Sequence, residues 1–147
     1  MQSRKWGHMI YDDLYSYLIG QSTITALVGT RVYPLHLPQN PTLPALTMEQ
    51  TQAEYEYCIT GSANWAAPTI RLSVYSESLP EIATIAEALR NVLQGYKGTM
   101  GAIRIQYCTL TNTEDEAFTP DDASDYWIYA RHSDYQMKHT ETPPSFS

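Results

Sequence analysis

Four histidines are the side chains of this sequence best suited to acid–base chemistry near neutral pH: His8, His36, His132 and His139. A histidine beside a serine or cysteine nucleophile would indicate covalent catalysis. None of the four lies in a recognised nucleophile motif, and the sequence contains no HExxH motif. His132 alternates with aromatic residues, which predicts a solvent-facing strand residue rather than a general base. The sequence therefore predicts no catalytic residue and no metal ligand.

Six carboxylates lie close together near the C-terminal end of the chain. Pairs of carboxylates act as acid and base in glycosidases, and clusters of them bind calcium. This cluster lacks the ligand spacing and the glycine of an EF-hand loop. We predict a flexible, solvated acidic loop over Thr113–Ser124, which is a poor setting for catalysis. The cluster consists of Glu114, Asp115, Glu116, Asp121, Asp122 and Asp125.

Two further features have the composition of binding sites. Gly95, Gly98 and Gly101 follow a predicted helix instead of preceding one, so they do not form a phosphate-binding loop and no cofactor site is predicted. Trp65 is predicted in a turn over Gly61–Pro68, where a large aromatic side chain exposes apolar area unless something covers it. It either folds back onto its own domain or contacts another molecule, and we favour the intermolecular contact.

The composition indicates one ordinary folded domain. The sequence has 147 residues, 12 tyrosines, 3 tryptophans and a formal net charge of −7. This length suits a single domain over residues 1–147 with its own core. The negative charge disfavours general binding to nucleic acid phosphates. Tyrosine and tryptophan are enriched at protein interfaces, although most of them are expected to cover a sheet face here.

The two cysteines, Cys58 and Cys108, form no CxxC motif and have no histidine at metal-ligand spacing. We predict free thiols, as in a reducing cytoplasm, rather than a disulfide. The basic residues Arg4 and Lys5 precede no continuous apolar run, which argues against a signal peptide. No segment approaches the ~20 apolar residues that a membrane span requires, so a soluble protein without a membrane partner is expected.

The stretch Thr69–Gln106 shows the clearest pattern of secondary structure. Thr69–Tyr75 alternates apolar and polar residues, as in a half-buried strand. Ser78 and Glu81 have the spacing of a capping box, and an apolar stripe of helical period follows until Gly95. A turn and a second alternating strand are predicted next. The helical stripe consists of Ile82, Ile85, Ala86, Leu89 and Leu93.

The other elements follow from the same signals. Three prolines within Pro34–Pro41 predict an extended surface loop. Gln52–Pro68 is predicted to form a long hairpin that extends beyond the body. Further helices are predicted at His8–Ile19 and Ser22–Leu27, further strands at Pro44–Gln50, Ala102–Thr111 and Tyr126–Lys138, and flexible arms at about 1–7 and 139–147.

These elements predict the α+β class, with a mixed or mainly antiparallel sheet of four or more strands and two main helices on one face. Strands joined by tight turns are expected to be antiparallel. The connection through the central helix allows a parallel pair instead.

Several segments together resemble the tail-completion, or tail-terminator, proteins of long-tailed bacteriophages. The matching segments are the turn after the first helices (Leu27–Pro34), the start of the first strand (Leu37–Gln39 and Leu43–Thr47), the long helix with its small-residue turn (Ile82–Gly101) and the end of the last strand (Asp134–Met137). The resemblance covers about Ile10 to Lys138. The arms and the Gln52–Pro68 hairpin fit this family less closely.

The resemblance implies a small α+β domain that assembles as a homohexameric ring, caps the tail tube, ends its growth and joins it to the head connector. It implies no catalytic residue and no cofactor. The implied partners are the tail-tube protein and a head-side connector or stopper protein, and DNA passes through the ring without specific binding. The implied location is the head–tail junction of the virion, with assembly in the host cytoplasm.

A ring of identical subunits requires heterologous interfaces, and protruding loops are expected to supply them. The candidates for contact with another subunit or partner are Tyr33, His36, Gln39, Tyr55, Tyr57 and Trp65. Carboxylates repel DNA phosphates, so part of the acidic loop is expected to line the lumen, unless it is a solvated outer loop. The candidates for the lumen are Glu114, Asp115, Glu116, Asp121 and Asp122.

Two alternative functions remain open at this point. Another ring protein of the phage neck or baseplate has the same size, acidity and lack of catalytic motifs. A small ligand-binding or enzymatic α+β domain fits less well, and it would require a well-formed pocket lined by tyrosines.

Overall fold

The computed structural model describes residues 10–56, 64–101, 103–118 and 127–141. Within these residues the chain forms three helices and six strands, which confirms the predicted α+β class. In chain order the elements are α1 (Ile10–Ile19), α2 (Ser22–Val28), β1 (Val32–Pro34), β2 (Ala45–Glu56), β3 (Asn64–Ser76), α3 (Leu79–Leu93), β4 (Gly98–Met100), β5 (Ile103–Phe118) and β6 (Ile128–Glu141).

The longest helix, α3, begins and ends at the predicted signals. Ser78 occupies the N-cap position, and its side chain accepts a hydrogen bond from the backbone N–H of Glu81. The second half of the predicted capping box differs, because the Glu81 carboxylate accepts a hydrogen bond from the hydroxyl of Ser76 instead. After the helix, Gly95 adopts a φ of 79°, a left-handed conformation that glycine adopts without steric cost.

The six strands form one mixed sheet in the order β1-β2-β3-β6-β5-β4. β1 pairs with β2 in parallel, and the other neighbours are antiparallel. The strands on either side of α3, β3 and β5, both pair with β6, so they run parallel to each other but do not pair directly. The parallel pair that the connection through α3 allowed does not form, because the last strand of the chain lies between β3 and β5.

One face of the sheet packs against the helices and forms the core. Ile70, Leu72 and Val74 of β3 are fully buried there, as their alternation predicts. Leu46 and Met48 of β2 also point into this core. The α3 residues of this core are Ile82, Ile85, Leu89 and Leu93. The predicted detail of two main helices on one face is not confirmed. The short helix α2 also contributes two fully buried residues, Ile24 and Val28.

The hairpin predicted between the first and second long strands is present as β2 and β3. These strands pair from Ala45 opposite Tyr75 to Glu56 opposite Trp65. The turn itself, residues 57–63, lies outside the described residues. The first strand, β1, ends at Pro34 and lies at the edge of the sheet. Proline has no backbone N–H, and an edge strand tolerates this because it has a neighbour on one side only.

The C-terminal half contains longer strands than the sequence predicts. β5 continues through Phe118, so the predicted loop over Thr113–Ser124 is wrong for its first six residues. Gly98–Met100, which was predicted as a turn, is the short strand β4. β6 continues to Glu141, three residues into the segment predicted as a flexible arm. Runs of acidic residues have low strand propensity, and here cross-strand cations compensate for it.

Candidate assembly surfaces

The face of the sheet opposite the core carries a row of polar and charged side chains. We call it the open face. Tyr33, Thr47, Ser73, His132 and Glu114 come from five neighbouring strands and lie opposite one another in register. Thr47 and Ser73 are nevertheless only 3% and 4% exposed. Neighbouring side chains cover them, so the middle of this face is a packed polar layer rather than a loose solvated surface.

An ion pair between β3 and β6 anchors this layer. Arg71 donates from Nε to Asp134 Oδ1 at 2.8 Å and from Nη2 to Asp134 Oδ2 at 3.2 Å. Glu114 of β5 adds a carboxylate oxygen 3.5 Å from the same guanidinium. Hydrogen bonding from Arg71 lowers the pKa of Asp134 from its ordinary value, although partial burial opposes this shift. Three strands are thus joined through one guanidinium group.

A second cross-strand line consists of a serine, a histidine and a carboxylate. Ser73 Oγ lies 2.6 Å from His132 Nδ1, and His132 Nε2 lies 2.9 Å from Glu116 Oε1. The carboxylate can only accept, so Nε2 carries a proton and, in the neutral ring, Nδ1 accepts from the serine hydroxyl. His132 is therefore a partly buried linking residue and not the solvent-facing residue that its alternation predicts; its side chain is 12% exposed.

The order of groups in this line is that of a hydrolase triad, but its setting is not catalytic. Ser73 lies in the middle of β3, and its backbone pairs with both β2 and β6. Its neighbouring N–H groups are thus engaged in the sheet and cannot stabilise an oxyanion. The arrangement is best explained as a hydrogen-bonded connection across three strands.

The acidic cluster is divided between the two faces of the sheet. Glu114 and Glu116 lie on the open face, beside Arg71 and His132. Asp115 lies on the opposite face, where it accepts two hydrogen bonds from Arg131 at 2.7 and 3.1 Å. The prediction of one common acidic loop is wrong for these three residues, because successive strand residues point to opposite faces. Asp121 and Asp122 lie outside the described residues.

The basic partners of this acidic cluster are not among the residues predicted from the sequence. The signal was present: Arg131 and His132 are consecutive residues of a predicted strand and so serve opposite faces, and Arg71 occupies a polar position of another strand. Only the pairing of β5 with β6 shows which carboxylate each of them meets.

The predicted contact residues fall into two groups that the structure does not bring together. Tyr33 lies opposite Thr47 at the covered start of β2, and His36 and Gln39 are exposed in the loop that follows β1. Tyr55, which is 53% exposed, and Trp65 lie near the far end of the β2–β3 hairpin. Eight residues of extended strand separate Thr47 from Tyr55, or about 26 Å. Tyr57 lies outside the described residues.

Trp65 belongs to β3 and not to a turn, which corrects its predicted position. It pairs with Glu56 on one side and with Thr140 of β6 on the other. The ammonium group of Lys138 lies over its ring, 4.7 Å from the centroid, in a cation–π contact. The side chain is half-buried, so one part of the ring packs on its own domain while another part stays accessible.

An open groove of about 520 Å³ lies between α3 and strands β5 and β6. Its lining is mainly small and charged, with Ala83, Glu87, Arg90 and Arg131, and its aromatic residue is Tyr135. The tyrosine-lined pocket that a ligand-binding domain would require does not match this lining. Among the described residues, no three potential metal ligands cluster, and no helix is long and apolar enough to span a membrane.

The one cysteine that falls within the described ranges is inert. Cys108 is a fully buried free thiol on β5, and burial raises its pKa to about 12. A protonated, inaccessible thiol is neither a nucleophile nor a ready disulfide partner. Cys58 lies outside the described residues.

Comparison with known proteins identifies the family. A chain from the solved structure "Virion of native gene transfer agent (GTA) particle" shares the fold, with a TM-score of 0.72 over 95% of this chain and 100% of that chain. The identity is 15%, so this match shows a common architecture and no more. The search of curated proteins gave no match. A family model described as "Tail completion protein gp17" matches residues 12–123, which is most of the chain. The chain therefore belongs to this phage tail-completion protein family.

Proposed function

We propose that this protein is a tail-terminator subunit, which forms a homohexameric ring on the end of the phage tail tube, stops its growth and joins it to the head connector. The observation that carries the proposal is the family match over residues 12–123. The fold shared with a chain of a gene transfer agent virion supports a place in a virus-like particle. The role is structural and requires no catalysis or cofactor.

Two groups of surface residues suit a ring in which each subunit contacts two neighbours through different surfaces. Tyr33, His36 and Gln39 lie at one side of the sheet, and Tyr55 and Trp65 lie near the far end of the hairpin. We propose that one group contacts the preceding subunit or the tail-tube protein and the other contacts the next subunit or the head-side connector. Tyr57 joins the second group by its place in the sequence.

The open face supplies the wall of the lumen in this proposal. It carries Glu114 and Glu116, whereas the helices cover the opposite face and would lie outward. Carboxylates repel DNA phosphates, so the genome would slide past without specific binding. Asp115 is on the helix side of β5 and does not share this surface. Asp121 and Asp122 follow in sequence and are proposed to add to the same acidic wall.

A complementation assay tests the main proposal. Particles that lack this protein should have tails of uncontrolled length that do not join heads, and added protein should restore a defined length and joining, as seen by negative-stain microscopy. The purified protein should scatter light as a monomer or weak oligomer in dilute solution, because its core is complete without a partner. Tails of normal length without the protein would refute the terminator role.

The lumen assignment has its own test and an internal control. The double change Glu114→Lys and Glu116→Lys should slow DNA ejection at low salt, and the defect should ease as salt screens the added charges. Glu87→Lys places a similar charge on the exposed side of α3, on the opposite face, and should leave ejection unchanged. If both variants fold by circular dichroism and eject DNA at the same rate, the open face does not line the lumen.

A further inference from the structure

Both edges of the sheet are covered over only part of their length. At one edge, β1 pairs with Leu46–Met48 of β2 and no further. At the other edge, β4 pairs with Ile103–Ile105 of β5 and no further. Among the described strands, the rest of β2 has only β3 beside it, and the rest of β5 has only β6.

The backbone groups next to each covered part are satisfied within the domain. At the β2 edge, Leu46 N–H donates to Arg31 O at 2.9 Å, and Gln50 N–H donates to the hydroxyl of Tyr11 at 2.8 Å. At the β5 edge, Cys108 O accepts from Gly95 N–H at 2.8 Å, and Leu110 N–H donates to the side-chain oxygen of Gln94 at 2.8 Å. Each edge strand thus has a first stretch, up to Gln50 in β2 and up to Leu110 in β5, whose outward backbone groups are bonded within the domain. A second stretch follows in each strand.

A register shift follows directly on each of these capped positions. In β2 it lies between Gln50 and Gln52, and in β5 between Leu110 and Asn112. One extra residue moves the outward-facing backbone positions to Ala53 in β2 and to Thr113, Asp115 and Ala117 in β5. The partner of Ala53 is Pro68, which has no N–H to donate, in agreement with outward-facing groups at that pair. We call Gln52–Glu56 the arm edge and Asn112–Phe118 the acidic edge.

The two edges are complementary in direction and position. β2 and β5 run antiparallel, because the pairs β2–β3, β3–β6 and β6–β5 are all antiparallel. The arm edge lies at the Trp65 end of the sheet, and the acidic edge lies at the opposite end, near Tyr75 and Ala130. If a second copy continues the sheet, its acidic edge lies antiparallel to the arm edge of the first, directly beyond the end of β1. The short strand β1 of the first copy and β4 of the second then lie at opposite ends of the paired stretch and do not overlap.

We propose that neighbouring copies of this chain join by pairing the arm edge of one subunit with the acidic edge of the next, so that one staggered sheet runs around the ring. The proposal rests on the proposed ring function and names the contact that closes it. Each copy offers one edge of each kind, so the contact is heterologous and closes a ring when the rotation permits. The stagger tilts the strands, as closure of a sheet requires.

An exposed strand edge is a hazard that proteins usually cover or block. All eight residues from Thr111 to Phe118 are exposed, and no described helix or loop covers that edge. In the arm edge, Gln52, Glu54 and Glu56 are exposed as well. The carboxylates of Glu54 and Glu56 repel those of the acidic edge, so isolated subunits stay apart and the interface forms only where the tail end concentrates the subunits.

Paired cysteines test the contact directly. When Ala53 lies opposite Ala117 of the next copy, Phe118 lies opposite Gln52, and the paired stretch stays clear of β1 and Tyr11. Ala53 and Ala117 both have their side chains on the helix face, since their partners Pro68 and Tyr129 do. Within one chain they are separated by at least three strand spacings, about 14 Å, which is too far for a disulfide. The double variant Ala53→Cys and Ala117→Cys is made in a Cys58→Ser background; Cys108 stays, because it is buried and protonated.

After oxidation of assembled rings, the double variant should give a ladder of linked chains that stops at the ring size, and each single variant should stay monomeric. Dimers from either single variant, or no ladder from the double variant, would overturn the proposal. A link within one chain between Ser3→Cys and Ala53→Cys would assign the arm edge to the N-terminal segment and would also overturn it. The ladder of linked chains is also measured in concentrated protein without tails. A ladder there without capping of tails would count against the terminator role and not against this contact.

Proline variants give a second, independent test. Ala53→Pro and Ala117→Pro each remove one outward N–H and keep the inward ladder bonds, whereas Ala53→Val and Ala117→Val keep the N–H. The proline variants should reduce ring closure by at least about tenfold, and the valine variants should close normally. Circular dichroism confirms that the domain remains folded. Rings from folded Ala53→Pro protein at the wild-type yield would overturn the proposal.

Discussion

Two arginine–aspartate pairs in this sheet offer a controlled comparison of burial. Arg71–Asp134 and Arg131–Asp115 have nearly the same geometry, with shorter contacts of 2.8 and 2.7 Å and longer contacts of 3.2 and 3.1 Å. The two arginine side chains are equally exposed, at 28%. The carboxylates differ: the Asp134 side chain is 12% exposed and that of Asp115 is 54% exposed. The changes Asp134→Asn and Asp115→Asn are therefore matched.

We expect Asp134→Asn to lower the free energy of unfolding by about 1.5–2 kcal/mol, at the lower end for hydrogen bonds to charged groups. The lower end applies because Glu114 remains 3.5 Å from Arg71 and keeps part of the attraction. This corresponds to a fall in Tm of about 5–7 °C for a domain of this size. Asp115→Asn should cost only about 0–1 kcal/mol, since water screens an exposed pair. Urea unfolding at pH 7 measures both values.

The contribution of the Arg71–Asp134 pair to the free energy of unfolding should depend on pH in a defined direction. The pKa of Asp134 is lowered in the folded state from its ordinary 3.8, chiefly by hydrogen bonding from Arg71. The unfolded chain then binds more protons, so this contribution is present above pH 3.8 and is lost as the pH falls through the folded pKa. The difference between wild type and Asp134→Asn should shrink below pH 4. Equal costs for the two variants at pH 7, or a difference that persists at low pH, would refute the reasoning.

Three further predictions concern stability. Leu89→Ala, at a fully buried position, should cost roughly 2–5 kcal/mol, whereas Trp65→Ala should cost clearly less and should instead impair ring closure or tail joining; equal losses of Tm would place Trp65 in the core. The buried hydroxyl of Tyr135 has no partner among the described residues, so Tyr135→Phe should leave the unfolding free energy unchanged or raise it by up to about 1 kcal/mol in urea titrations, and a loss above that size would show a missed hydrogen bond. Gly101 has a φ of 60° and a methyl group there would overlap the Asp13 carboxylate, so Gly101→Ala should cost about 1–3 kcal/mol by thermal unfolding, and an unchanged Tm would contradict this packing.

The pattern of residues was sufficient for elements with a strong local signal. α3 carries its N-cap serine, its first-turn proline and its terminal glycine in the sequence itself, and it forms where they predict. The alternation of Ile70, Leu72 and Val74 likewise placed the right face of β3 in the core. These signals are local because capping and amphipathic periodicity act over a few residues.

The far half of β5 is where local signals failed. Glu114, Asp115 and Glu116 disfavour a strand by propensity, so the local pattern predicts a loop for them. They form a strand because β6 lies beside them and presents Arg131 and His132, with Arg71 one strand further. The position of Trp65 was missed for the same reason, since its pairing with Thr140 joins segments far apart in the sequence.

The sequence by itself determined the class of the domain, the ends of α3 and the inward face of β3, because turn, cap and periodicity signals depend only on near neighbours. It also supported membership of the tail-completion family, which the family model matches over residues 12–123. Only the tertiary structure decided the strand order, with β6 inserted between β3 and β5, and with it the partner of each charged side chain. That order also left the two edges of the sheet half covered, because the lengths of β1 and β4 set how much of β2 and β5 stays open. Such long-range pairings depend on how the whole chain packs, and no short stretch of sequence specifies them.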